Sequence, residues 1–195
     1  MLEVVNKVRT AAILSAVRPQ LDDGDRIVDV GAGSCHVAQT LHGTYGFDVA
    51  AIDVVDHNIT PMPLALYDGK RLPYADGEFD VALLLFVLHH APDAAGLLAE
   101  ATRVAKKVII LEDTPANALE ARVWRKLDYL ENHAQHADVH VAHEAKSVAA
   151  WQTFFGDHGC RTLFHATFRR VFTTARLYPH TIFVVSPAHP RPPKK

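Results

Sequence analysis

Residues 26–30, Arg-Ile-Val-Asp-Val, run directly into Gly31-Ala32-Gly33-Ser34, and an amphipathic stretch from His36 to Leu41 follows. A short apolar run, a glycine pair and a helical period read as strand, tight turn and helix. This arrangement constrains the chain strongly. Glycine lets the backbone turn sharply and approach a ligand, while the following helix points its free N–H groups at the same place. Further apolar runs lie at 47–53, 64–67, 79–88 and 107–112, with a helical segment at 94–105 between the last two and Asp93 as its N-cap. These runs are near-continuous in Val, Ile and Leu rather than alternating, so the strands are expected to be covered on both faces. The predicted fold is α/β: a Rossmann-like doubly wound sheet, mostly parallel with a C-terminal antiparallel strand, and helices on both faces.

The flanking segments complete one domain over residues 1–186. Residues 1–18 read as a leading helix with Val4, Val8, Ala11 and Ala12 on one side. Thr114-Pro115 supplies an N-cap and a first-turn proline for a helix reaching about Asn132. Another helix, roughly 146–158, stops at Gly159. Two β-like segments, 162–174 and 181–186, follow as an expected antiparallel pair with Pro179 in their link, and the proline-rich tail 187–195 is expected to be disordered. The chain of 195 residues is 49% hydrophobic and 22% charged, which is globular and excludes a disordered or disulfide-stapled class.

Charge and cysteine usage narrow the function classes. The 20 Lys+Arg nearly balance the 22 Asp+Glu, so a formal charge of -2 offers no field to hold a nucleic acid. The longest apolar run, Val81 to Leu88, falls short of the ~20 residues that span a bilayer, so no membrane association is expected. Two cysteines and no leader-like series after Met1 point to a reducing cytoplasm. A monomer or homodimer acting on a small molecule is the expectation.

The second predicted strand ends in Asp53, 22 residues beyond Gly31, where a carboxylate can accept hydrogen bonds from both hydroxyls of a ribose. A dinucleotide site would want a third glycine at position 36, and His36 stands there, so NAD is the poorer fit. The series Asp29-Val30-Gly31-Ala32-Gly33-Ser34, then Asp53, then Asp68-Gly69-Lys70-Arg71-Leu72-Pro73-Tyr74 and Phe79-Asp80-Val81 resembles the class I S-adenosylmethionine-dependent methyltransferases. The resemblance is to their small-molecule type 11 branch and runs from about Ile27 to Glu112.

That resemblance implies S-adenosyl-L-methionine as cofactor. Gly31 and Gly33, with Asp29 and Ala32, would frame its methionine moiety. Asp53, followed by Val54, would hold the ribose; Asp68 would accept from the adenine amino group, with Gly69 beside the ring; and Phe86 would close the pocket. Cys35 replaces a further glycine usual in the family. A side chain there is expected to narrow the space beside the methionine tail, and a helix N-terminus is expected to lower its thiol pKa.

Methyl transfer from a sulfonium needs alignment above all, and a base only where the acceptor carries a proton of high pKa. His89 and His90, in the Leu88-His89-His90 signature, and Glu112 follow predicted strands and are the candidate catalytic residues. For His90 the alternative is a structural bond to backbone, and Glu112 and Asp113 read equally as solvated or capping residues. His133, His136, His140 and His143 stand at offsets 0, 3, 7 and 10, which on a helix form one stripe of about 80°. His133, His136 and His140 are candidate substrate contacts in an acceptor-covering insertion at 115–145; no metal is expected, although His136 and His140 have the spacing for one. The reading is methyl transfer to an O, N or C nucleophile of a small molecule. A methyltransferase-like partner or regulatory module that binds cofactor without transferring methyl remains the alternative.

Overall fold

The computed structural model describes residues 2–117, 119–122, 146–169 and 179–188, with side chains from residue 6 onward. Along the chain run α1 (Leu2–Val17), β1 (Arg26–Val30), α2 (His36–Gly43), β2 (Asp48–Asp53), β3 (Leu64–Leu66), β4 (Phe79–Leu85), α3 (Ala94–Val104), β5 (Ala105–Asp113), α4 (Val148–Asp157), β6 (Cys160–Arg169) and β7 (Pro179–Pro187). The seven strands lie in the order β3-β2-β1-β4-β5-β7-β6. All neighbours pair in parallel except β7, which runs antiparallel to both β5 and β6. The predicted doubly wound sheet with one antiparallel C-terminal strand is therefore the observed fold.

Alternation along the strands divides the core into two layers. Val28, Val30, Leu84, Val108 and Ile110 pack under α3 and α4, together with Leu98, Trp151 and Phe155. Ile27, Val81, Leu83, Ile109 and Leu111 face the other way and pack with Ile13, Leu14 and Val17 of α1 and Ala38 and Leu41 of α2. Asp93 caps α3 as expected, accepting from the Gly96 N–H at 2.8 Å. Ser147 does the same for α4 through the Ala150 N–H. Trp151 and Cys160 are core residues, as their types suggest.

Three local expectations are corrected. The buried side of α1 is Thr10, Ile13, Leu14 and Val17, while Val8 and Ala11 are exposed. Ile13 and Leu14 fill the groove over β1 and β4 with more apolar surface than the smaller residues offer. Thr114 does not cap the helix after β5, because its hydroxyl lies buried 2.6 Å from the Thr181 hydroxyl. Asn117 takes that role, accepting from the Glu120 N–H at 2.9 Å, while Glu120 reaches back to the Ala116 N–H. Pro179 is no linker but the first residue of β7, where a missing N–H is tolerated.

Candidate functional site

The carboxyl ends of β1, β2 and β4 converge on the glycine turn. The Gly31 and Ala32 N–H groups both donate to the Ile52 carbonyl, at 2.9 and 3.2 Å, so the turn continues the β1–β2 ladder before it breaks away. Gly31 adopts φ +75°, and a Cβ placed there would stand 2.6 Å from Val87 Cγ2. Glycine at this position therefore satisfies both a left-handed backbone and close packing against the loop after β4. Gly33, at φ +51°, donates its N–H to Asp53 Oδ2 at 2.8 Å. The other Asp53 oxygen accepts from the Val54 N–H at 2.7 Å. Asp53 thus ties the end of β2 to the glycine turn, with lone pairs remaining for a ligand hydroxyl.

A cavity of about 150 Å³ opens beside this turn, lined by Asp29, Gly31, Ala32, Gly33 and Ser34 from the β1 end and Leu85 and Phe86 from the β4 end. α1, through Asn6, Arg9, Thr10 and Ile13, and the start of α2, through His36 and Val37, complete its wall. Asp29 is 2% exposed. Burial, reinforced by the neighbouring Asp53 carboxylate, pushes its pKa up to about 7. A buried carboxylate on a cavity wall fits a cationic ligand group, and a turn of exposed N–H groups fits the polar atoms around one. Phe86 closes the cavity in an unusual backbone state, φ +61°, secured by donation of its N–H to the Leu111 carbonyl at 2.7 Å. Its ring lies under the Arg9 guanidinium, 5.9 Å from Cζ to the ring centre.

The second half of the predicted cofactor site lies along the β2 and β3 ends. Asp68 is exposed, and its Oδ1 accepts from the Lys70 and Arg71 N–H groups at 2.9 and 3.2 Å, which holds its carboxyl below the usual range. Gly69 has φ +76°, and its Cα packs against Val54 closely enough that an added Cβ would meet Val54 Cγ1 at 3.3 Å. Arg103 of α3 fixes this loop from beneath: its guanidinium donates to the Leu72 and Tyr74 carbonyls, to Asp76 and to Glu100 at 2.7–2.9 Å. Glu100 in turn accepts from the Leu72 N–H. The loop that carries Asp68 and Gly69 is therefore anchored at several points.

Cys35 behaves differently from expectation. It is the left-handed N-cap of α2, at φ +59°, and its side chain is fully buried in the layer under α1 and α2 rather than on the cavity wall. Burial first, then the Asp29, Asp53 and Asp56 carboxylates, push its thiol up to about 11. Three nearby negative charges and desolvation overcome any effect of the helix terminus. The thiol does not narrow the cavity.

Among the predicted catalytic residues, His89 and Glu112 are brought together and buried. His89 Nδ1 pairs with Glu112 Oε2, and Glu112 Oε1 accepts from the Leu88 N–H at 2.9 Å. His90 is half-buried and its ring lies tilted against that of His89, with ring centres 3.8 Å apart and 45° between the planes. Asp113, the next residue of β5, points to the opposite face and makes a second buried pair, with His180 Nδ1 at 2.5 Å. The reading of Glu112 and Asp113 as solvated or capping groups is thereby replaced by two acid–imidazole pairs. His180 stands edge-on to Phe86, with ring centres 5.6 Å apart, on the face where the cavity opens. Sequence reasoning missed His180 and the α1 residues Asn6, Arg9 and Thr10. His180 is 67 positions from Asp113, and only the pairing of β7 with β5 reveals their proximity. His133, His136 and His140 lie outside the described residues, and among the described residues no group of three metal-ligating side chains occurs.

Residues 28–110 match the family model described as a methyltransferase domain. A demethylmenaquinone methyltransferase of Mycolicibacterium vanbaalenii is 33% identical over 115 residues, which cover 55% of this chain and 50% of that protein. A ubiquinone biosynthesis O-methyltransferase of Thiobacillus denitrificans is 32% identical over 95 residues, covering 43% of this chain and 40% of its own. The chain spans half or less of the length of these curated relatives. The crystal structure of an S-adenosylmethionine-dependent methyltransferase from Methanosarcina mazei superposes with a TM-score of 0.67 at 16% identity, covering 87% of this chain and 95% of that one; at that identity it shows the fold.

Proposed function

We infer that this chain, whose residues 28–110 form a methyltransferase domain of the class I S-adenosylmethionine-dependent type, transfers the methyl group of that cofactor to a small-molecule acceptor. The observation that carries this reading is the cavity at the glycine turn, walled by the buried Asp29 and continuous in sequence logic with Asp53 at the next strand end. Bound there, the cofactor supplies an activated methyl on a sulfonium. Asp29 meets the cationic amino group of its methionine end, and the N–H groups of the turn face its polar atoms. Asp53 and Val54 flank the ribose, and the anchored Asp68–Gly69 loop takes the adenine. Phe86 shields the cavity from water on the β4 side.

The acceptor side is read from the β4 and β5 ends. His89, held through Nδ1 by Glu112, keeps the other ring nitrogen as the basic one when neutral, and serves as the proton acceptor for a hydroxyl, amine or activated carbon. The His90 ring packs tilted against that ring and helps to hold its orientation. The segment 115–145, with His133, His136 and His140, joins β5 to α4 and is assigned to cover the acceptor. Like its quinone-modifying relatives, the chain is assigned a metabolite as substrate.

The reading is tested with methyl-labelled S-adenosylmethionine against a panel holding a demethylmenaquinol, a catechol and sarcosine. Label in an organic product, with release of S-adenosylhomocysteine, supports it. Cofactor binding without product across the panel favours the non-transferring module instead. His136→Ala with His140→Ala should then change the acceptor Michaelis constant and leave cofactor affinity intact.

A further inference from the structure

Among the described residues, Cys35 and Phe86 alone combine a side chain with a positive φ, and of the two only Phe86 lines the cavity. A left-handed backbone at a bulky residue is unfavourable and persists only where the surroundings enforce it. Part of that enforcement is local: the Phe86 N–H donates to the Leu111 carbonyl at 2.7 Å, which carries the β4–β5 ladder one residue past Leu85. A second part comes from β7, a strand outside residues 28–110. The His180 ring stands at 85° to the Phe86 ring with centres 5.6 Å apart. Such an edge-to-face contact fixes the direction of both rings.

The imidazole is itself held. Its Nδ1 lies 2.5 Å from Oδ1 of Asp113, the residue opposite it on β5, and both side chains are buried. Phe168, opposite His180 on β6, adds its ring at 6.0 Å. On the other face of β7 the Thr181 hydroxyl bonds those of Thr114 and Thr167 at 2.6 and 2.8 Å, so β7 is tied to the β5 end and to β6 at this level. A row of Phe168, His180 and Asp113 thus crosses three strands beside Phe86. A buried acid–imidazole pair is a costly way to fill a core, and directional bonding is what it adds over apolar residues.

We propose that Asp113 and His180 are positioning residues of the cofactor site: the pair orients the His180 ring, and that ring holds Phe86 in the backbone conformation that places it on the cavity wall. The consequence for binding rests on the cofactor reading above. Neither residue touches the cofactor in this role. Without the pair, Phe86 relaxes to an ordinary backbone state, its ring leaves the wall, and water enters beside the glycine turn.

The test joins calorimetric titration with S-adenosylhomocysteine to amide hydrogen exchange at Phe86, read by NMR without ligand. His180→Leu should weaken S-adenosylhomocysteine roughly threefold to tenfold, the scale of a lost ring contact, and speed Phe86 exchange about tenfold. Asp113→Asn keeps an acceptor for the Nδ1–H and should bind as the parent does, whereas Asp113→Ala should match His180→Leu. Replacing the pair together, Asp113→Val with His180→Leu, leaves no buried charge behind, so this variant folds even where a single substitution does not, and it should show the same weakening. Phe86→Ala should also weaken binding, and adding His180→Leu to it should cost nothing further, because His180 acts through Phe86. Additive losses in that double variant, or parent-like affinity and parent-like Phe86 exchange in the paired variant, overturn the positioning role and leave the cofactor reading intact. Failure of the parent chain to bind S-adenosylhomocysteine overturns the cofactor reading, and Phe86 exchange then decides the positioning role by itself.

Discussion

At the scale of single residues the site depends on Asp29 and Gly31. Asp29 sits with Asp53 of β2, Cys35 and His36 of the turn and α2, and Arg9 of α1 around it, and its pKa is raised to about 7. A carboxyl raised in the native state stabilises the fold fully below its unfolded value near 3.8, and that contribution is lost as pH rises through about 7. Asp29→Asn removes the penalty, so its chemical denaturation midpoint should exceed the parent's above pH 7 and match it near pH 4. Cofactor binding should show the opposite preference. A cationic ligand needs the ionised carboxylate, so S-adenosylhomocysteine affinity should climb as pH rises from 5.5 to 7.5 and flatten beyond, and the climb should be absent in Asp29→Asn. Gly31→Ala places a methyl 2.6 Å from Val87 Cγ2 at a positive φ, and should cost about 1–3 kcal/mol of stability, read by denaturant titration. Residues of this kind were legible in the chain because a glycine turn is local chemistry. Cys35 was not, since its environment is set by carboxylates from β1, β2 and the loop after β2, which no local pattern brings together.

At the scale of elements, β5 and α3 matter most. Consecutive β5 carboxylates, Glu112 and Asp113, point to opposite faces and each holds a buried histidine. Glu112→Gln leaves His89 without its ionised partner and the variant should lose about 3–5 kcal/mol, measured by urea unfolding, with the acidic limb of the methyl-transfer pH profile altered as well. Arg103 of α3 joins four acceptor groups under the Asp68–Gly69 loop. Arg103→Ala should therefore raise the Michaelis constant for S-adenosylmethionine more than it lowers kcat, because the loop it frees binds rather than reacts. The strands of the parallel sheet were readable from their continuous apolar runs, and α3 from its Asp93 cap. The orientation of α1 was not. Apolar side chains occur all around that helix, so its period does not choose a face, and the large Ile13 and Leu14 settle the matter by packing. His180 escaped for a related reason, since a residue of β7 acquires its partner only when the last strand inserts between β5 and β6.

At the scale of the whole molecule, one sheet carries two helical layers and gathers Asp29, Gly31, Gly33, Asp53 and Phe86 at or just beyond the carboxyl ends of its strands, where ligands of open α/β sheets bind. Among the described residues, no helix is long and apolar enough to cross a membrane. We infer that this edge of the sheet binds S-adenosylmethionine and its product. Thermal unfolding with S-adenosylhomocysteine, alongside NAD as the competing nucleotide, tests it most directly. A ligand at 100 times its dissociation constant stabilises the native state by about 2.7 kcal/mol. For a chain of this size that raises the midpoint by roughly 5–10 °C. The midpoint should rise in this way with S-adenosylhomocysteine and stay where it is with NAD; an unchanged midpoint with S-adenosylhomocysteine at millimolar concentration, or an equal rise with NAD, would overturn the cofactor assignment.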